Sequence, residues 1–89
     1  ILAADPSIKA VYTELTETST GTVFDIEAIG NVVAKTNAIL VVDAVSGIGA
    51  DDIHVDAWKV DVCVAGSQKA FMIPPGLGFM SVSEKAWKL

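Results

Sequence analysis

Residues 38–42 are Ala38-Ile39-Leu40-Val41-Val42, a continuous apolar run that is followed at once by Asp43. A strand in a parallel sheet is covered on both faces, so its sequence is apolar throughout instead of alternating. This run is therefore predicted to be such a strand. Residues 25–37, just before it, repeat apolar side chains at helical spacing, with Asp25 as the N-terminal cap and Asn37 near the end. Together, residues 25–37 and 38–42 predict a helix that is followed by a buried strand.

Three further apolar runs extend this pattern along the chain. Residues 10–15 and 60–65 are predicted to be strands parallel to residues 38–42, because strand, helix and strand in succession form a right-handed crossover. Residues 78–82 are a fourth strand candidate. Residues 70–74 leave too short a connection before it for a parallel crossover, which needs a dozen residues or more. We therefore expect an α/β fold with a mainly parallel sheet and one antiparallel strand.

Two shorter segments complete the expected elements. Residues 51–59 fit a short helix or a turn. Ser83 is a candidate N-terminal cap of a final helix, with Glu84 in its first turn, where a negative charge is favourable.

Composition narrows the classes of function. The 89 residues have a formal net charge of −5, which disfavours nucleic-acid and anionic membrane surfaces as partners. The longest apolar stretch, residues 38–42, is far shorter than the ~20 residues of a bilayer-spanning helix, and no secretory signal pattern opens the chain. The only cysteine, Cys63, is expected to be a buried small apolar residue. With His54 as the only histidine, no metal-ligand cluster of the usual kind is expected.

The chain also offers little material to cover its own strands. A strand that is apolar on both faces needs cover on both, but the sequence contains one good helix and a fragmentary second. The chain begins at Ile1 with no methionine. We expect residues 1–89 to be the central portion of a larger domain, and so a fragment of a longer chain.

Polar residues recur where the predicted strands end. Glu17-Thr18 follow the first strand, Asp43 follows the second 26 residues later, and Lys69 follows the third after 26 more. In open parallel sheets, ligands bind beyond the carboxyl ends of the strands. These residues are therefore expected to meet at one edge of the sheet.

The residue types at this edge suit an aldehyde cofactor such as pyridoxal phosphate. A desolvated, crowded lysine is a nucleophile that can form an imine, and Lys69 is the candidate. A carboxylate that faces the pyridine nitrogen keeps it protonated, and Asp43 is placed for that role. Thr18 is a candidate hydroxyl donor to the phenolic oxygen, and Val45 a candidate to pack on the ring. Gln68, with Ser67, is a candidate donor to the phosphate.

Each assignment has a plainer alternative. Asp43 taken alone is an ordinary loop or capping aspartate, and Thr18 lies in a Thr-Ser-Thr-Gly stretch with good turn chemistry. Gln68 also fits a solvated loop residue, and Glu17 a structural one. Only the constellation favours the cofactor roles.

The motifs that carry these residues resemble a known family. Residues 17–21 (Glu-Thr-Ser-Thr-Gly), 42–47 (Val-Asp-Ala-Val-Ser-Gly), 66–70 (Gly-Ser-Gln-Lys-Ala) and 74–76 (Pro-Pro-Gly) are similar to those of class V pyridoxal-phosphate aminotransferases. The likeness is greatest to the alanine–glyoxylate and serine–glyoxylate group, and it runs over essentially the whole chain. One departure is Leu15, where many relatives carry histidine.

The resemblance implies a fold and a set of roles. The fold would be the large domain of the aspartate-aminotransferase type, to which this segment would supply central strands and the antiparallel one. Lys69 would carry the cofactor and shuttle the proton, Asp43 would pair with the pyridinium, and Thr18, Val45 and Gln68 would contact the phenolic oxygen, ring and phosphate. The substrates would be a small amino acid, alanine or serine, and an oxo acid such as glyoxylate.

Further expectations follow from the same resemblance. The complete enzyme would be a homodimer, and its location would be the cytoplasm, or an organelle such as the peroxisome. One alternative is a cysteine desulfurase or selenocysteine lyase, although those relatives usually place histidine before the lysine, where this chain has Gln68. Another is a catalytically inert structural fragment.

Overall fold

The computed structural model describes all 89 residues as two small sheets and two helices. The strands are β1 (Ala10–Glu14), β2 (Thr16–Glu17), β3 (Thr22–Val23), β4 (Ile39–Asp43), β5 (Val62–Gly66) and β6 (Gly78–Val82), and the helices are α1 (Ile26–Val33) and α2 (Glu84–Trp87). The larger sheet has the order β1-β4-β5-β6. The strands β1, β4 and β5 run parallel, while β6 is antiparallel to β5. This arrangement confirms the α/β fold and the single antiparallel strand of the larger sheet.

The register of the parallel strands brings their carboxyl ends level. Glu14 pairs with Asp43, and Asp43 pairs with Val64, two residues before β5 ends. The second sheet is the hairpin β2–β3, which leaves the end of β1 and returns through a Thr-Ser-Thr-Gly turn. The hairpin therefore stands directly beside the carboxyl edge of the main sheet. The Thr-Ser-Thr-Gly stretch predicted only a turn there.

Helix α1 is amphipathic and covers one face of the sheet. Its cap is Asp25, whose carboxylate accepts a hydrogen bond from the Ala28 amide, as predicted. Ile26 and Val33 are buried against Leu40. The helix ends at Val33, four residues before the predicted end, because Thr36 turns the chain: its hydroxyl donates to the Val33 carbonyl and accepts from the Ala38 amide.

The segment 51–59 forms turns without a helix, which selects one of its two predicted forms. The turns pack closely on α1, since a Cβ at Gly30 would lie 1.9 Å from the Trp58 carbonyl oxygen. Val60 and Cys63 follow in the core, and the Cys63 thiol is free and buried as expected. Burial raises the pKa of this thiol, with a smaller contribution from the Asp43 charge.

The opposite face of the sheet is only partly covered, as the single long helix in the sequence predicts. Tyr12 and Met80 are exposed on this face, and Val41 and Val64 are only half-buried. This confirms the expectation that residues 1–89 alone offer too little material to cover β4 on both faces. No helix of the structure has the length and apolar character needed to cross a bilayer.

The amino edge of the sheet is joined by one buried carboxylate. Asp61 is 7 % exposed and accepts hydrogen bonds from the Leu40 amide at 2.9 Å and the Ser83 hydroxyl at 2.7 Å. Lys85 Nζ lies 3.7 Å from the same carboxylate and also donates to the Ala38 carbonyl. Ser83 caps α2 as predicted, accepting from the Ala86 amide. Asp61 thus ties β4, β5 and the end of β6 together.

Candidate cofactor-binding site

A concavity of about 280 Å³ opens at the carboxyl edge of the sheet, beside the hairpin. Of the predicted site residues, it is lined by Thr18, Asp43, Val45 and Lys69. Glu14, Thr16, Glu17 and Ser46 complete the lining. The structure therefore brings together residues from three separate segments of the chain, as the strand-end argument expected. Gln68 is not among the lining residues.

Asp43 is held with its carboxylate available. It is the last residue of β4 and is exposed, while the preceding Val42 and following Ala44 are fully buried. One carboxylate oxygen accepts a hydrogen bond from the Val45 amide at 2.9 Å. That bond fixes the side chain at the strand end and leaves the second oxygen without a protein donor. The arrangement fits a charged partner for a protonated nitrogen.

Lys69 reaches the same concavity from the loop after β5. Its amine forms neither a salt bridge nor a side-chain hydrogen bond with the chain. The side chain is exposed, so the crowded and desolvated lysine expected from the sequence is not found in these residues. What the structure provides is a primary amine with no competing partner, at the edge where Asp43 lies.

The Ser67 hydroxyl makes its hydrogen bonds within its own loop. Its hydroxyl is fully buried, donates to the Pro74 carbonyl at 2.7 Å and accepts from the Leu77 amide at 3.3 Å. These bonds close the loop that carries Lys69, so the prediction that Ser67 donates to a phosphate is wrong. The adjacent Gln68 is exposed and folds over Gly66, where a Cβ would lie 2.8 Å from the Gln68 amide oxygen.

Two hydrogen bonds missed by sequence analysis join the hairpin to the loop after β4. The Thr18 and Ser46 hydroxyl oxygens are 2.6 Å apart, and Thr16 donates to the Asp51 carboxylate, also at 2.6 Å. Each pair is separated by about thirty residues of chain. No local sequence signal identifies such partners.

Between these two bonds, Gly47 lies directly against the hairpin. A Cβ at Gly47 would come within 2.4 Å of Thr16 Oγ1 and 2.8 Å of a Leu15 methyl carbon. Leu15, the departure from the family pattern, is fully buried in the core. The absence of a side chain at Gly47 therefore lets the loop with Val45 and Ser46 sit against a hairpin anchored by Leu15.

Two neighbouring glutamates in the site have pKa values that are shifted in opposite directions. Ser19 donates its hydroxyl and its amide to Glu17, and these bonds together with one from Glu14 lower the pKa of Glu17 to about 2. The same contact with Glu17, together with its charge, raises the pKa of Glu14. Glu17 therefore ionises at a lower pH than Glu14.

The donor set fits the ring of pyridoxal phosphate. The concavity offers an unpaired amine for an aldehyde, a carboxylate for a ring nitrogen, a hydroxyl for a phenolic oxygen and the Val45 methyl groups for a ring face. Lys69 is the only basic side chain that lines it, so the described residues do not by themselves make a phosphate pocket.

Comparison with known proteins assigns the class. The family model for class-V aminotransferases matches residues 3–88, so the chain belongs to that family. The serine–glyoxylate aminotransferase of Hyphomicrobium methylovorum is 47% identical over 90 residues, covering 97% of this chain and 22% of that protein. A protein of Synechococcus sp. (strain PCC 6716) named soluble hydrogenase, small subunit, is 52% identical over 81 residues, covering 90% of this chain and 21% of that protein.

The solved structures agree with the fold. The crystal structure of pyridoxamine–pyruvate aminotransferase from Mesorhizobium loti superimposes with a TM-score of 0.90 at 42% identity, covering 98% of this chain and 22% of that one. The mostly parallel sheet with its antiparallel strand is therefore an aminotransferase fold. The chain spans about a fifth of the length of the relatives it matches.

Proposed function

We propose that residues 1–89 form the central part of the cofactor-binding domain of a longer chain, and that this longer protein is a pyridoxal-phosphate-dependent aminotransferase. The observation that carries the proposal is the meeting of Thr18, Asp43, Val45 and Lys69 around one concavity. Family membership supports the same class. The cofactor acts as an electron sink for a substrate's amino-bearing carbon.

The side chains of this edge have distinct tasks in that reaction. Lys69 would hold the cofactor's aldehyde carbon through its amine and would carry a proton to or from the substrate carbon. Asp43 holds a proton on the ring nitrogen, because its negative charge favours the protonated form. Thr18 donates to the phenolic oxygen, and Val45 limits the tilt of the ring. Gln68 remains a predicted donor to the phosphate.

For the substrates, we propose a small amino acid, alanine or serine, as donor and an oxo acid such as glyoxylate as acceptor. The support is the similarity to an enzyme named serine–glyoxylate aminotransferase and the matching motifs. A homodimer and a cytoplasmic location are proposed on the resemblance alone.

Reductive trapping tests the cofactor site. The longer protein is incubated with pyridoxal phosphate and reduced with borohydride, and the modified lysine is located by peptide mass. We expect the label on Lys69 and its loss in Lys69→Ala. The matched control is Lys35→Ala, which removes another exposed lysine near the amino edge and should leave the label in place. Labelling spread over the other lysines, or no labelling, would overturn the proposal in favour of an inert structural role.

A single-turnover measurement tests the substrates separately. Serine, alanine and cysteine are added in turn to the loaded protein, and the loss of visible absorbance is followed without an oxo acid. Fast loss with serine or alanine and its return with glyoxylate are expected. Formation of alanine from cysteine, with sulfide released when a thiol reductant is added and no transfer to glyoxylate, would instead indicate the desulfurase alternative.

A further inference from the structure

The hydroxyl of Ser46 has a single side-chain partner, and that partner is Thr18. The two oxygens are 2.6 Å apart, a short separation for a hydroxyl–hydroxyl bond, and neither hydroxyl makes another side-chain hydrogen bond. Both residues line the concavity with Asp43 and Lys69. The pair bridges the hairpin and the loop after β4, which are far apart in sequence.

The loop that carries Ser46 has little freedom to move. Its turn is closed by the Gly47 and Ile48 amides, which both donate to the Ala44 carbonyl at 3.2 and 2.9 Å. Gly47 is buried against the hairpin, and the Thr16–Asp51 hydrogen bond holds the far end of the loop. Ser46 is therefore presented to Thr18 from a fixed position.

The number of protons on the Thr18 and Ser46 hydroxyls decides which of the two donates to the other. A hydroxyl has one proton to donate and two lone pairs with which to accept. If Thr18 donates its proton to a ligand oxygen in the concavity, the proton between the two hydroxyls must come from Ser46. The chain then runs from Ser46 through Thr18 to the ligand, and each bond in such a chain polarises the next.

We propose that Ser46 is a positioning residue that orients the Thr18 hydroxyl as a donor to the phenolic oxygen of the cofactor. The inference rests on the proposed function, since it requires a cofactor whose phenolic oxygen faces Thr18. Ser46 itself does not touch the cofactor. It acts by donating its own proton to Thr18 Oγ1, so that the Thr18 proton points into the concavity.

The test measures the pH at which the visible absorbance of the lysine-bound cofactor changes. A hydrogen bond to the phenolic oxygen reduces the negative charge that holds the proton shared with the lysine nitrogen. Removing the donor in Thr18→Val should therefore raise this pH. Ser46→Ala should raise it by about 0.3 pH units, because a neighbouring bond strengthens a hydrogen bond by roughly 10–30%. Glu14, Glu17, Asp43 and Lys69 face the same concavity and are unchanged in every variant.

A double-mutant cycle separates orientation from a general structural effect. In the Thr18→Val background, Ser46→Ala should cause no further shift, because its only route to the cofactor is gone. Ser7→Ala, which removes an exposed serine hydroxyl before β1, is the matched control and should cause no shift.

The outcomes distinguish the two proposals. Equal shifts by Ser46→Ala in both backgrounds, or no shift in either while Thr18→Val moves the midpoint, would overturn the role of Ser46 and leave the cofactor site intact. Absence of any Lys69-dependent absorbance in the unmodified protein would overturn the proposed function itself.

Discussion

Two aspartates, Asp61 just before β5 and Asp43 at the end of β4, show how differently the two edges of this sheet use the same side chain. Asp61, at the amino edge, is 7 % exposed and is met by the Leu40 amide, the Ser83 hydroxyl and the Lys85 amine. Asp43, at the carboxyl edge, is exposed and is met within the chain only by the Val45 amide. A buried carboxylate must have its partners, whereas an exposed one is free to take a ligand. The difference marks the amino edge as structural and the carboxyl edge as the candidate site.

The largest expected effect on stability comes from changing Asp61. Asp61→Asn removes the charge opposite Lys85 and replaces one acceptor oxygen with an NH₂ group that faces a donor. We expect a loss of about 3 kcal/mol in the free energy of unfolding, because breaking buried charge-assisted bonds leaves their donors without an acceptor. Urea unfolding of the cofactor-free longer protein measures it. A loss below about 1 kcal/mol would mean that Asp61 does not tie the amino edge together.

A smaller loss is expected where the hairpin meets the site loop. Gly47→Ala places a Cβ 2.4 Å from Thr16 Oγ1, so the Thr16–Asp51 contact must shift. We expect a loss of about 2 kcal/mol from overpacking, together with weaker cofactor binding. Gly78→Ala is the matched control, since nothing lies within 4 Å of its Cβ position. Equal losses of stability in the two variants would contradict close packing of Gly47 against the hairpin.

The contribution of Glu17 to the stability of the fold depends on pH in a defined direction. The pKa of Glu17 is lowered from 4.5 to about 2 in the fold, so its contribution to stability is present above pH 4.5 and is lost as the pH falls toward 2. Ser19→Ala should raise the pKa of Glu17 by removing the largest cause of that shift, as followed by NMR of the side-chain carboxyl carbon.

The control for this titration lies at the other end of the sheet. Ser7 donates to Asp5 with the same two bonds, hydroxyl and amide, that Ser19 makes to Glu17, and these bonds lower the pKa of Asp5. Ser7→Ala should therefore raise the pKa of Asp5 and leave Glu17 unchanged. An unaltered Glu17 titration in Ser19→Ala would show that the Ser19 hydroxyl is not its main partner.

Asp43→Asn is expected to have the smallest effect on stability, and it gives the most direct comparison with Asp61→Asn. Asp43→Asn makes the same chemical change as Asp61→Asn, but the amide oxygen still accepts from Val45 and no buried donor is stranded. The free energy of unfolding should change by less than about 0.5 kcal/mol. Amino transfer should nevertheless fall by roughly 100-fold or more, since a neutral amide does not hold the ring proton. A stability loss equal to that of Asp61→Asn would break the contrast between the edges.

Much of the fold could be predicted because its signals are local. The apolar run 38–42, the capping residues Asp25 and Ser83, and the short connection before residues 78–82 each identify an element from neighbouring positions in the chain. The strand-end rule then placed Thr18, Asp43 and Lys69 at one edge, and the structure brings them together. The hairpin β2–β3 was missed as strands because each strand has only two residues.

The sequence by itself determined the four strands of the larger sheet and the two helices in their chain order, the antiparallel strand and the family, since periodicity, caps and motifs are properties of adjacent residues. The tertiary structure alone decided how single polar atoms are used. In the folded chain, the Ser67 hydroxyl donates to the Pro74 carbonyl and the Ser46 hydroxyl pairs with that of Thr18. Asp61 is buried, whereas Asp43 is exposed. A hydrogen bond depends on distances of about 3 Å between atoms. Those distances exist only after remote segments of the chain have packed together.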